Sequence, residues 1–268
     1  MSLIHAIILG AIQGLTEFLP VSSTGHLVIA GRLLKVTDNN LAFAAMIHLG
    51  TLLAVIIVFR KKVADLLKVL CFGRVKWHRG KLRFPNENTR LLWMLIAASI
   101  PAAVAGFLLE DTIERLFLEP YWVGVFMVVT GVFLFITGMV PRGENRVGWG
   151  SSLLVGLAQA AAILPGLSRS GTTISAGIIS GVERSAAAEF SFLLSIPVIL
   201  GAGGIKLLKA LEAGFEEGQG TCLAAGVATA ALVGWLAIKA LLAVVSREKL
   251  MYFAYYCWLA GIAVIIFL

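Results

Sequence analysis

Hydrophobic residues in this chain do not alternate with polar ones at the period of a surface helix or a half-buried strand. They run on in blocks close to the length that crosses a bilayer, each closed by a few charged residues. Six such blocks, 42–59, 91–109, 121–140, 186–205, 221–245 and 250–268, each predict a membrane-spanning helix. Two further apolar stretches, 2–34 and 150–182, are broken in the middle. The first breaks at Glu17-Phe18-Leu19-Pro20-Val21-Ser22-Ser23-Thr24-Gly25-His26 and the second at Ile163-Leu164-Pro165-Gly166-Leu167-Ser168-Arg169-Ser170-Gly171-Thr172-Thr173. Pro and Gly stop a helix there and hydroxyls follow, so each stretch predicts a re-entrant hairpin of two half-helices. The expected fold is an all-α polytopic membrane protein of six transmembrane helices plus two broken hairpins.

Composition agrees: 59% of the 268 residues are hydrophobic and 14% charged, too little polar surface to cover a water-soluble globule. Mean hydropathy is +0.93. A disordered chain and a soluble enzyme are excluded, and one integral membrane domain is expected to occupy 1–268. Cys71, Cys222 and Cys257 are far apart and show no Cys/His spacing, so neither a disulfide framework nor a zinc site is indicated. The first 19 residues lack a basic leader and carry Gln13 and Glu17, so they are expected to stay in the mature protein.

The two broken stretches resemble each other. Gln13 lies seven residues before Pro20 and Gln159 six before Pro165, and each proline is followed by serines and then Gly25 or Gly171. Three spanning blocks follow each one. Halves 1–140 and 141–268 with an odd number of crossings imply an inverted-topology internal repeat. Of the 22 Lys and Arg residues, 15 fall in 60–90, 141–149, 183–185 and 246–249, which places those segments in the cytoplasm. The net charge of +7 is thus read as topology, with no nucleic-acid partner. The acidic segment Glu110, Asp111, Glu114 and Glu119 and both termini then face outward. The first hairpin enters from outside, the second from the cytoplasm, and their tips meet near mid-membrane.

Ionisable side chains within apolar blocks are costly, so they are functional candidates. These are Glu17, His26, His48, Arg169, Glu189 and Lys239, with Gln13 and Gln159 as uncharged companions. Lys239 can snorkel to headgroups and Glu189 sits near a helix start, so both read as structural. His48 divides evenly between a packed interface histidine and a group beside the site. Gln13 and Glu17, four apart, share one helix face and could hold Mg²⁺ or Ca²⁺, with substrate oxygens completing the shell. Ser22, Ser23, Thr24 and Gly25 put hydroxyls and free N–H groups at a new helix start, a natural anion site, although one hydroxyl is expected only to cap the helix. Ser168, Ser170, Gly171 and Thr173 repeat the design around Arg169, whose fork can grip a phosphate in two bonds. Arg169 could also pair with Glu17, neutralised by it until a phosphate arrives.

On these two motifs and the upstream Gln13-to-Glu17 spacing, the sequence resembles the bacterial undecaprenyl-diphosphate phosphatase family of the bacitracin-resistance type, over essentially the whole chain. The resemblance implies removal of the terminal phosphate of a polyprenyl diphosphate lipid, returning the monophosphate carrier for cell-wall synthesis, with tolerance of bacitracin as a consequence. It places the enzyme in the bacterial inner membrane, among membrane lipids and with a homodimer left open. It maps the family's site onto Gln13, Glu17, Ser22, Ser23, His26, Ser168, Arg169, Ser170 and Thr173. Many members carry a second Glu where this chain has Gln13, which removes one formal charge.

Within that site Ser168, Ser170, Thr173 and Arg169 are expected to clamp the terminal phosphoryl group. Ser23 could attack, with His26 or Glu17 taking its proton, or His26 could attack itself. Ser23 is preferred, because it sits at the electropositive start of a half-helix with His26 three residues on. The rival class is an inverted-repeat transporter or flippase for a lipid phosphate or anion, using the same Arg and hydroxyls. Such a carrier does not need Glu17, Ser23 and His26 together.

Overall fold

Every apolar block folds as a helix. In chain order they are α1 (Leu3–Phe18), α2 (Ser23–Leu33), α3 (Leu41–Val58), α4 (Arg60–Phe72), α5 (Glu87–Leu108), α6 (Glu110–Leu118), α7 (Pro120–Met139), α8 (Trp149–Ala161), α9 (Arg169–Ile179), α10 (Arg184–Ala213), α11 (Gln219–Ser246) and α12 (Met251–Phe267). A two-stranded antiparallel hairpin, β1 (Lys76–His78) and β2 (Lys81–Arg83), lies between α4 and α5. The computed structural model describes residues 1–36, 41–72, 76–78, 81–213 and 219–268.

Four helices, Glu87–Leu108, Pro120–Met139, Arg184–Ile205 and Gly220–Ser246, are each long and apolar enough to cross a bilayer. The chain is a multi-pass helical membrane protein. The expected spans 42–59 and 250–268 are helical too. The first meets the same requirement only together with α4, from which it is bent by 93°. The second, α12, has 17 residues, at the short end of the range of about 17–25. Large apolar side chains such as Ile57, Ile100, Leu157, Leu236 and Leu259 point outward, as lipid contact allows and water does not.

Two segments expected as loops are partly helical. Residues 60–90 contain α4, the β hairpin and the first turn of α5, whose start is capped by the Asn86 side chain accepting from Thr89 N at 2.8 Å. Helix α4 buries Leu66 against its neighbours and leaves Leu67 and Leu70 exposed. With Arg60, Lys61, Lys62 and Lys68 on the same short helix, it has the pattern of an element lying at the headgroup boundary. Arg74 and Arg79 of that basic stretch lie outside the described residues. The acidic segment beginning at Glu110 is helix α6. Both helices are too short and too charged to register as spans, which is why block length alone passes over them.

Helix pairing crosses between the two ends of the chain. Helix α1 packs on α11, α8 on α5, α7 on α12, and α3 on both α10 and α11. Without a hydrophobic force between helices in lipid, close backbone approach supplies the attraction, and small residues permit it. A Cβ on Gly14 would lie 2.7 Å from the Ala230 carbonyl oxygen, and one on Gly124 would lie 2.7 Å from that of Gly261. Gly10 meets the backbone of Gly226, and Gly156 that of Ala98, in the same way. Between these crossings a core of Phe18, Ile174, Ile178, Phe192, Ile238 and Leu241 joins α1, α9, α10 and α11. Phe18 and Phe192 meet edge to face with centroids 5.7 Å apart. The last residue of α1 and the middle of α9 are thereby pinned close to the two breaks.

Backbone cannot yield at such crossings. Gly14→Ala should therefore destabilise the protein by about 1–3 kcal/mol, as measured by unfolding in mixed micelles. Gly150→Ala, where a Cβ meets nothing within 4 Å, should be neutral or stabilising by up to about 1 kcal/mol, the helix-propensity gain over glycine.

Candidate active site

Each break is a short elbow closed by a serine cap. After α1 ends, Val21 N donates to Leu19 O at 2.8 Å. Ser22 then adopts φ +70°, a left-handed conformation that few non-glycine residues take. Its side-chain oxygen accepts from Gly25 N at 3.2 Å and so caps α2, the capping role expected of one hydroxyl. At the second elbow Gly166 has φ +100° and sits against the Val123 carbonyl, where only glycine fits. Ser168 Oγ accepts from Gly171 N at 3.1 Å and caps α9.

Each elbow is tied to a distant helix. Cys257 Sγ of α12 donates to Pro20 O at 3.3 Å, and Ser168 N donates to Thr130 Oγ1 of α7 at 2.9 Å. The elbows also touch each other: Ser170 Oγ donates to Leu19 O at 3.2 Å.

Their charged groups meet at Glu17. Arg169 Nη2 donates to Glu17 Oε1 at 2.5 Å, across 152 residues of chain. The other carboxylate oxygen accepts from Ser23 Oγ at 2.7 Å and from Gln13 Nε2 at 3.0 Å. His48 Nε2 lies 3.8 Å from that same oxygen, while its Nδ1 lies 2.7 Å from Ala44 O. Little of either charged side chain is accessible, 7% for Glu17 and 15% for Arg169. A buried pair is favoured when its remaining hydrogen-bonding capacity is also met, and Ser23 and Gln13 supply two such bonds to the carboxylate. Arg169 Nη1 and Gln13 Oε1 are buried without a hydrogen-bond partner. One unengaged donor and one unengaged acceptor thus flank the pair.

The other expected site residues divide. Ser168 and Ser170 lie at the second elbow with their hydroxyls 3.3 Å apart. Thr173 Oγ1 donates to Arg169 O at 2.7 Å and lies 2.6 Å from Ser191 Oγ, so it braces the first turn of α9 where a phosphate contact was expected. Its complete burial explains the difference: a hydroxyl with no water takes the nearest carbonyl. Gly171 and Gly25 are buried at the two caps, and a Cβ on Gly25 would meet Met127 Sδ at 2.8 Å, so that glycine admits α7 close to α2. Thr24 is half-buried in the first turn of α2.

His26 does not turn to Ser23. Its Nδ1 is 2.8 Å from Ser22 O and its Nε2 is 2.6 Å from the Tyr256 hydroxyl. Gln159 is buried with both amide atoms unpartnered and takes no part in the Glu17 cluster. Lys239 lies over the Trp235 ring at 3.7 Å, and Glu189 lies 4.0 Å from Lys62, both apart from the cluster and in keeping with structural roles.

Three site residues are new relative to the motif: His48, Thr130 and Tyr256. His48 stands out in the sequence as an ionisable group in a span. Thr130 and Tyr256 carry no such signal, since Thr and Tyr are ordinary in membrane helices. As for a metal, no group of three His, Cys, Asp or Glu gathers among the described residues. Glu17 and the unengaged Gln13 Oε1 remain a pair of oxygen donors suited to a hard cation.

Removing one member of this pair strands the other charge. Glu17→Gln should cost about 3–5 kcal/mol of stability in chemical unfolding, and Arg169→Gln added to it should recover much of that loss. Additive losses in the double variant would show that the two charges do not sustain each other.

The sequence matches the family described as Bacitracin resistance protein BacA over residues 6–263. It is 42% identical over 271 residues to a protein of Methanobrevibacter smithii named undecaprenyl-diphosphatase, covering 98% of this chain and 97% of that relative. A Desulforapulum autotrophicum protein of the same name is 41% identical over 275 residues, covering 99% of this chain and 98% of its own. One from Pelobacter propionicus is 39% identical over 269 residues, covering 99% and 97%. With nearly its full length matched, the chain belongs to the bacitracin resistance protein BacA family.

Proposed function

We propose that the chain is a membrane phosphatase that hydrolyses undecaprenyl diphosphate to undecaprenyl phosphate and inorganic phosphate, recycling the lipid carrier of cell-wall synthesis and raising tolerance to bacitracin. The observation that carries this reading is the Ser23–Glu17–Arg169 chain of hydrogen bonds, which joins a hydroxyl, a carboxylate and a guanidinium from two separate elbows. A carrier needs the guanidinium but not a hydroxyl held on a carboxylate. That pairing favours hydrolysis over transport.

Ser23 Oγ attacks the terminal phosphorus as its proton passes to Glu17 Oε2. The bridging P–O bond breaks, and undecaprenyl phosphate leaves with the bond's electron pair and takes that proton from Glu17, which returns to its carboxylate form. Water then attacks the phosphoserine as the regenerated Glu17 carboxylate takes its proton; the Ser23 Oγ–P bond breaks, phosphate leaves, and Glu17 returns the proton to Ser23 Oγ. Arg169 serves both states. Glu17 balances the guanidinium charge at rest, and the unengaged Arg169 Nη1 donates to a phosphoryl oxygen when substrate arrives. The starts of α2 and α9 add positive potential from opposite sides. Gln13 and Glu17 would hold the divalent cation, Mg²⁺ or Ca²⁺, which when bound supplies further positive charge against the diphosphate oxygens.

The topology we favour has two inverted halves, 1–140 and 141–268, with both termini outward, the site opening to the outer face, and the whole in the bacterial inner membrane. The crossed pairing supports it: α1 packs on α11 as α8 packs on α5, and α7 and α12 pack on each other. So does the positive charge of 60–90.

Phosphate release from a prenyl diphosphate by the purified protein tests the activity. Ser23→Ala should lower turnover by about 10³-fold or more, and Arg169→Lys, which keeps the charge but loses the fork, by about 10²-fold. A trapped phosphoenzyme should survive acid, as a phosphoserine does. Near wild-type release by Ser23→Ala, or an acid-labile adduct, would move the attack to His26. Gln13→Glu should tighten the response to added Mg²⁺ after chelation, and an unchanged titration would remove Gln13 from the cation site.

A further inference from the structure

The contact between His26 and Tyr256 links helices far apart in sequence at the edge of the site. Ser22 O can only accept a hydrogen bond, so the His26 Nδ1 facing it at 2.8 Å carries the hydrogen. The neutral ring then has its lone pair on Nε2, and the Tyr256 hydroxyl, 2.6 Å away, donates into it. The two rings stack with centroids 5.6 Å apart and planes 10° from parallel, which fixes the imidazole in rotation as well as in tautomer.

The effect reaches the reacting hydroxyl through the backbone. Ser22 stands in the left-handed region at φ +70° immediately before Ser23. Its carbonyl accepts from His26 N at 3.2 Å and from His26 Nδ1, and its side chain caps the same turn. A residue without glycine's freedom holds that conformation only when its surroundings over-determine it. The imidazole N–H is one of the bonds that do so, and the next residue along presents its hydroxyl to Glu17 at 2.7 Å.

We infer that Tyr256 is a positioning residue of the phosphatase site: by donating to His26 Nε2 it holds the imidazole in the orientation in which its Nδ1–H clamps the Ser22 carbonyl, and so sets where Ser23 stands against Glu17. The inference rests on the reading of Ser23 as the attacking group. It also accounts for His26 being turned from Ser23, since in this arrangement the ring orders the elbow and takes no proton from Ser23. Helix α12 holds the same elbow a second time through Cys257 and Pro20 O, so the first half's reactive turn is shaped by the last helix of the chain.

Tyr256→Phe removes the hydroxyl and keeps the stacked ring, so folding is retained. The full-length protein labelled with ¹⁵N-histidine and studied in micelles, with the His26 signals assigned by their loss in His26→Gln, should show a single Nδ1–H tautomer. Tyr256→Phe should convert this to a mixture of tautomers and lower kcat about tenfold with little change in KM, as loss of one hydrogen bond would. Adding Tyr256→Phe to His26→Gln should cost nothing further, because both act through one contact. An unchanged tautomer in Tyr256→Phe, or losses that multiply in the double variant, overturns the inference. Ser23→Ala separates the two failures: if it stays active the assignment of Ser23 falls, whereas an inactive Ser23→Ala beside an unimpaired Tyr256→Phe removes only the role of Tyr256.

Discussion

A carboxylate and a guanidinium held together inside a membrane protein constrain everything around them. Neither charge could be left alone there, and their mutual attraction offsets desolvation better the more of the remaining hydrogen-bonding capacity is met. Ser23 and Gln13 complete Glu17, and the second elbow must bring Arg169 within 2.5 Å of it. In the proposed reaction, groups that stabilise the pair are also the ones that phosphoryl transfer uses. A hydroxyl already bonded to a carboxylate is placed to lose its proton, and a guanidinium with one unengaged donor is placed to take a phosphate oxygen.

Placing those groups requires two apolar stretches to break into α1–α2 and α8–α9 and to leave backbone N–H groups without helical partners at the breaks, which an apolar surrounding does not tolerate unless protein encloses them. The fold provides that enclosure by exchange. Helix α12 holds the first elbow through Cys257 and Tyr256, and α7 holds the second through Thr130 and the Val123 backbone. Close approach at Gly14, Gly124 and Gly156 lets the long helices come near enough to do this, and the Phe18–Phe192 contact fixes the end of α1 beside the site.

The chemistry was more legible in the sequence than the geometry. Glu17 and Arg169 stand out because charge is rare in apolar blocks, and their pairing is one of the arrangements that charge allows. The roles of the hydroxyls were not so legible. Serines and threonines at a helix start can cap, brace or bind ligand, and only packing selects among these. Thr173 braces, Ser22 and Ser168 cap, and Ser23 faces the carboxylate. His26 was read as a partner of Ser23 from its spacing, yet three residues along one helix place two side chains on one face without deciding which way a ring turns.

The order of residues by itself determined that this chain is helical, lies in a membrane, breaks two of its helices and carries an anion-binding chemistry, because each follows from local properties: run length, helix-breaking residues, the cost of a buried charge. The tertiary structure alone decided which groups meet. Tyr256 finds His26 across 230 residues and Thr130 finds Ser168 N across 38. Contacts at such separations depend on how helices cross, and crossings depend on the summed fit of many small surfaces, which no single stretch of sequence records.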